Sequence, residues 1–178
     1  ETKNFYKTVG ALVLPIALQN LINVAVTSAD VVMLGRVGET VLSGSSLAGQ
    51  VQFVLTLFLF GLTSGAAVLT AQYWGKKDMR TIEKVMGIAF RFSIIVSVIF
   101  LLAVQIFPAQ VMSIFTPEQP VIDEGVKYLR IVSFSYLTCA VTHVYLNVMR
   151  SVERVVIATV TYSVSLIVNI IINGILIF

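Results

Sequence analysis

One acidic side chain, Asp30, stands near the end of the apolar run LPIALQNLINVAVTSADVVMLG, behind Asn20, Asn23 and Thr27. Steps of 3, 4 and 3 residues place these four on one face of a helix. A second run, TYSVSLIVNIIINGILIF, carries Ser165, Asn169 and Asn173 at steps of 4 and 4, again on one face. Carboxylate and amide oxygens at one depth are hard ligands suited to Na⁺, and the amides could equally hydrogen-bond a carboxyl that gains and loses a proton. An ionised Asp inside an apolar span costs roughly 3 kcal/mol on insertion scales. Asp30 must therefore be protonated, cation-bound, hydrogen-bonded or close to water. The blander readings are an Asp solvated at the interface, just before Gly35 and Arg36, and amides that only bridge helices. They account for each residue singly but not for the set, which points to cation coupling.

Other polar stripes invite weaker readings. Tyr136, Cys139, His143, Asn147 and Arg150 step by 3, 4, 4 and 3. Cys139 and His143 lie one turn apart, yet two ligands without further His or Cys partners do not make a metal site. A packed or hydrogen-bonded His is expected, and a face lining a water-filled path comes second. Gln52, Thr56, Thr63 and Thr70 fall on one side of another apolar run, and Gly61 and Gly65 form a GxxxG pair expected to allow close helix packing. The stretch GSSLAG misses the G-x-S-x-G pattern because Ala48 takes the final Gly position. There is no HExxH, no phosphate-binding loop and no nucleophile, base and acid set, so an enzyme is not expected.

The elements that must hold these residues follow from composition. Of the 178 residues, 57% are hydrophobic and 12% charged, with a mean hydropathy of +0.94, far from the roughly 25% charged of a soluble domain. An all-α polytopic membrane protein is expected, with about five spans near 8–34, 42–73, 85–107, 130–150 and 155–178. The first run is too long for a signal-peptide core and is read as a retained span. Between the third and fourth spans, three prolines and several acids suggest a solvated connection, with a short interfacial helix at about 110–115. The net charge of +3 does not imply nucleic acid, because the basic residues sit in short loops, as topology signals do. With the N-terminus inside, Lys3, Lys7, Lys76, Lys77, Arg80, Lys84, Arg150 and Arg154 are cytoplasmic, against Arg36, Lys127 and Arg130 outside; this bias places the N-terminus in the cytoplasm. Arg91, about two turns into its span, is expected to snorkel to the interface. The single cysteine, Cys139, allows no disulfide framework.

Several of these landmarks together resemble the multidrug and toxic compound extrusion family of antiporters. LPIALQNLINVAVTSADVVMLGRVG is similar to its first helix, FGLTSGAAVLTAQYWGKKD to the second helix and its exit, YLRIVSF to the start of the fourth, and NIIINGILIF to the end of the fifth. The resemblance implies a twelve-helix transporter of two six-helix lobes, exporting cationic or amphipathic drugs against Na⁺ or H⁺ across the cell membrane, with no cofactor beyond Na⁺ as a coupling ion. It places Asp30 as the first-helix acid of the N-lobe cation site, holding Na⁺ if the protein is sodium coupled. Asn169 matches the helix-five Asn, and Asn173 stands where some members carry a second acid. Asn20, Asn23, Thr27, Gln52, Thr56, Tyr136, His143, Asn147 and Ser165 become candidates for the cavity lining. On this view residues 1–178 are the N-terminal lobe without helix six, and their partners are lipid, small-molecule drugs or toxins and the C-terminal lobe. Residues 1–178 alone are then not expected to transport, since alternating access needs one bundle rocking against another. The rival readings are a related flippase for lipid-linked sugars, which needs a basic residue facing the cavity, and a non-transporting membrane subunit whose stripes bind partner helices.

Overall fold

The computed structural model describes residues 10, 13–14, 17–18, 20–21, 24–25, 27–28, 31–32, 35, 38–154, 160–161, 163–165, 167–169 and 171–172. Every regular element among them is an α-helix, as expected of spans that must satisfy their own backbone groups in lipid. The chain divides into two compact units, one of Val37–Glu153 and one of Glu1–Arg36 together with Arg154–Phe178.

Within Val37–Glu153 five helices follow in order: α1 (Glu39–Gly75), α2 (Met79–Ile106), α3 (Pro108–Ser113), α4 (Gln119–Val132) and α5 (Ser135–Ser151). α1 and α2 are each long and apolar enough to cross a membrane, whereas α4 and α5 reach that standard only as a pair bent by 56°. The turn between α1 and α2 is built from polar side chains and one unusual backbone angle. Lys77 adopts a left-handed conformation (φ 58°); its N–H donates to Trp74 O and that of Asp78 to Tyr73 O, each at 3.0 Å, closing α1 with a Schellman motif. Asp78 then caps α2, its carboxylate accepting from the Thr81 hydroxyl at 2.6 Å and the Thr81 backbone N–H at 3.1 Å. These bonds, the hydroxyl's first, hold the Asp78 carboxyl below its ordinary value of 3.8.

The stretch 108–130, expected as a solvated connection with a short helix at about 110–115, is largely helical: α3 overlaps the expected short helix, and α4 is the unexpected one. α3 opens on Pro108 and α4 has Pro120 in its first turn, where the missing N–H has no intrahelical acceptor to lose. Two of the three prolines that read as loop markers are here helix starts, while Pro117 stays in the link between α3 and α4. At the α4–α5 bend, the Arg130 carbonyl accepts from Gln105 Nε2 of α2 at 2.8 Å and from Ser133 Oγ at 3.3 Å, and Gln105 also donates to Ser133 Oγ at 2.9 Å. Side chains inserted into the backbone ladder are a recognised cause of kinks.

Two cores hold the unit together. Ala48, Val51, Leu55 and Leu59 of α1 meet Val104, Met112, Ile122, Leu129, Tyr136 and Ala140 from the other four helices. Ile82 and Ala89 of α2 form the second with Val144, Val148 and Val152. α1 and α4 come close at Gly44, where a Cβ would stand 2.9 Å from both Gly125 N and Val121 O. Gly61 and Gly65 do not show the close packing expected of them among the described residues, where a Cβ on either would meet nothing within 4 Å. The outward faces of α1 and α2 expose Phe53, Phe58, Ile95 and Ile99, the composition of a surface that faces acyl chains.

Candidate functional site

The unit of Glu1–Arg36 and Arg154–Phe178 contains both segments on which cation coupling was expected. Asn20, Thr27, Ser165 and Asn169 are helical and exposed; Asp30, Asn23 and Asn173 lie outside the described residues. Ser165 Oγ donates to Thr161 O at 2.9 Å, the return bond of a hydroxyl in an apolar helix, and Thr27 and Asn169 are both engaged in polar interactions.

The unit of Val37–Glu153 carries the remaining candidates on α1 and α5, which pack against each other. Gln52 Nε2 makes a long donor contact of 3.9 Å to Cys139 Sγ, so the α1 stripe and the α5 stripe meet at that level. Thr56 Oγ1 donates to Gln52 O at 2.9 Å, and Asn147 Nδ2 to His143 O at 3.0 Å, returning both side chains to their own helices. His143 is half-buried. Tyr136 is fully buried in the first core, with no hydrogen-bond partner for its hydroxyl among the described residues. The described residues hold no group of three or more His, Cys, Asp or Glu that could bind a metal.

The sequence reading missed Ser93 and Ser97 of α2. Both are fully buried, and their hydroxyls, like that of Thr70 on α1, have no partner among the described residues. Buried hydroxyls in this state are sites for ordered water or for a partner that arrives later. Their one-turn spacing in FSIIVSV was the available signal. Arg91, the basic residue that a pyrophosphate cargo would need in the cavity, is exposed on α2 and lines a surface cleft with Arg80 and Lys84.

Comparison with known proteins bears on the chain as a whole. The sequence model of the family described as MatE matches residues 15–175. Over 86 residues the chain is 30% identical to the probable multidrug resistance protein NorM of Bradyrhizobium diazoefficiens, covering 48% of this chain and 18% of that protein. Over 131 residues it is 21% identical to the probable multidrug resistance protein YoeA of Bacillus subtilis, covering 73% of this chain and 28% of that one. The chain thus spans less than a third of the length of the curated relatives it matches.

Proposed function

This chain belongs to the multidrug and toxic compound extrusion family, whose MatE model it matches, and on that premise we propose that it is part of the N-terminal lobe of a cation-coupled multidrug exporter. The observation that carries the proposal is the family match over nearly the whole chain. Two features support the location of the coupling site: the segments holding Asp30 and Asn169 fall in one compact unit, and Asn169 is engaged in a polar interaction. The cargo is a cationic or amphipathic compound, the exchanged ion Na⁺ or H⁺, and the setting the cell membrane with the N-terminus in the cytoplasm, as the distribution of Lys and Arg supports.

The mechanism follows from linkage. A ligand shifts a conformational equilibrium only by its differential affinity for the two states. A proton or Na⁺ taken up at Asp30 stabilises the state with weak drug affinity, and its release restores the state that binds drug. Asn169 and Asn173 orient the carboxyl by hydrogen bonding or add oxygen ligands to the ion. The alternation itself needs a second bundle against which this one rocks.

Drug efflux from liposomes containing the full-length protein, driven separately by a pH gradient and a Na⁺ gradient, tests the reading. Asp30→Asn is expected to reduce gradient-driven efflux by at least about tenfold while the protein stays folded, the scale of an ordinary coupling free energy. The gradient that drives the native protein names the ion. Unchanged coupling in Asp30→Asn would remove Asp30 from the mechanism.

A further inference from the structure

Two adjoining depressions lie along α2, the second of them also walled by α1. A cleft of about 530 Å³ is lined by Arg80, Glu83, Lys84, Gly87, Ile88 and Arg91. Arg80, Lys84, Gly87 and Arg91 step by 4, 3 and 4, so they share one face of α2, and Gly87 leaves open space between Lys84 and Arg91. The lining carries three cations against one carboxylate, and none of the three cations forms an ion pair among the described residues. A groove of about 360 Å³ meets this cleft at Ile88 and is walled by Gly61, Gly65 and Leu69 of α1 and by Val85 and Ile88 of α2.

The short turn between Gly75 and Met79 makes α1 and α2 antiparallel, so Arg80 and Lys84 lie at the same end as Lys76 and Lys77. The groove extends from that basic end toward the helix middles; from Leu69 to Gly61 it runs about 12 Å along α1. A basic rim leading into an apolar channel matches a molecule with an anionic head and a hydrocarbon tail. Inorganic phosphate has no use for the channel, and a neutral lipid leaves the three cations uncompensated. The open glycines allow a chain to lie against the α1 backbone.

We propose that this face binds one anionic phospholipid of the surrounding membrane, with its phosphate among Arg80, Lys84 and Arg91 and an acyl chain along the Gly61–Gly65 groove.

Native mass spectrometry of the full-length protein, titrated with phosphatidylglycerol or with phosphatidylcholine of the same acyl chains, tests the proposal. The native protein is expected to retain phosphatidylglycerol on the order of tenfold more tightly, given the attraction of each basic residue to anionic headgroups. The combined Arg80→Gln, Lys84→Gln and Arg91→Gln variant is expected to lose that preference, and Gly61→Leu with Gly65→Leu to weaken binding of both lipids. Arg80, Lys84 and Arg91 are exposed, so their neutralisation removes no packed contact, and Arg91→Gln alone serves as the milder variant, with a partial loss expected. Equal retention of the two lipids by the native protein, or a preference that survives the charge variants, overturns the headgroup assignment. Undiminished binding after the groove is filled overturns the acyl-chain assignment.

Discussion

α1 carries glycines in two settings. At Gly44 the helix lies so close to α4 that a methyl group would press on the backbone of Gly125 and Val121; a turn or two past the helix middle, Gly61 and Gly65 look into open space. Gly125 repeats the first setting from the other side, where a Cβ would run into the thioether of Met112 and stand 3.2 Å from Gly44 O. The same residue type thus does opposite work. In one place its missing side chain brings two backbones together, and in the other it widens a channel. The partners differ: α4, which carries Gly125 at the contact, approaches Gly44, whereas Gly61 and Gly65 share the wall of a groove with Val85 and Ile88 of α2.

The largest effect is expected from closing the tight setting. Gly44→Ala is expected to destabilise the folded protein by about 2 kcal/mol, because the added methyl must displace backbone rather than a flexible side-chain end. A denaturation midpoint in mixed micelles, with helicity as the signal, measures it, and an unchanged midpoint would erase the contrast. The converse is a smaller gain. Gly61→Ala and Gly65→Ala remove backbone entropy from the unfolded chain without touching a neighbour, so each is expected to stabilise by about 0.5 kcal/mol. Destabilisation in the same assay would show that the channel is closed in the folded protein.

The smallest effect sharpens the comparison at the basic end of the channel, where the α1–α2 turn fixes the two helices. Because the Thr81 bonds lower the folded pKa of Asp78, its contribution is fully present above the unfolded value of 3.8 and is lost as pH falls through the lowered folded one. The native protein is therefore expected to lose a small increment of stability on acidification below that value, and Asp78→Ala to lack the increment at neutral pH and to show a flatter acid limb. Parallel acid limbs in the two proteins would remove Asp78 from the account.

Much of the helical framework was legible because apolar length alone demands spanning helices: the expected run at 42–73 falls within α1, and that at 85–107 overlaps α2 and ends one residue past it. The true ends were less visible. Hydropathy marks where lipid lies, while α2 begins at Met79 because Asp78 and Thr81 cap it within a charged stretch. α4 was hidden because Pro120 has the same composition signal in a loop and in a first helical turn. Periodicity grouped Gln52 with the threonines of its own run and Cys139 with His143, but it could not say that Gln52 reaches Cys139 across the two helices or that Tyr136 sits in the core, since an apolar ring with one hydroxyl suits either place. Spacing likewise drew attention to Gly61 and Gly65 and passed over Gly44, whose closeness to α4 depends on a residue 81 positions later.

The contact between Gln105 and the Arg130 carbonyl has a consequence in time. A ribosome delivers Gln105 to the membrane before Arg130, which follows 25 residues later. The carbonyl at the α4–α5 bend therefore emerges with its upstream donor already made, and only Ser133, three residues later, remains to complete this set of bonds. Vectorial synthesis, with earlier segments free to fold first, suits a bent span whose partner lies upstream.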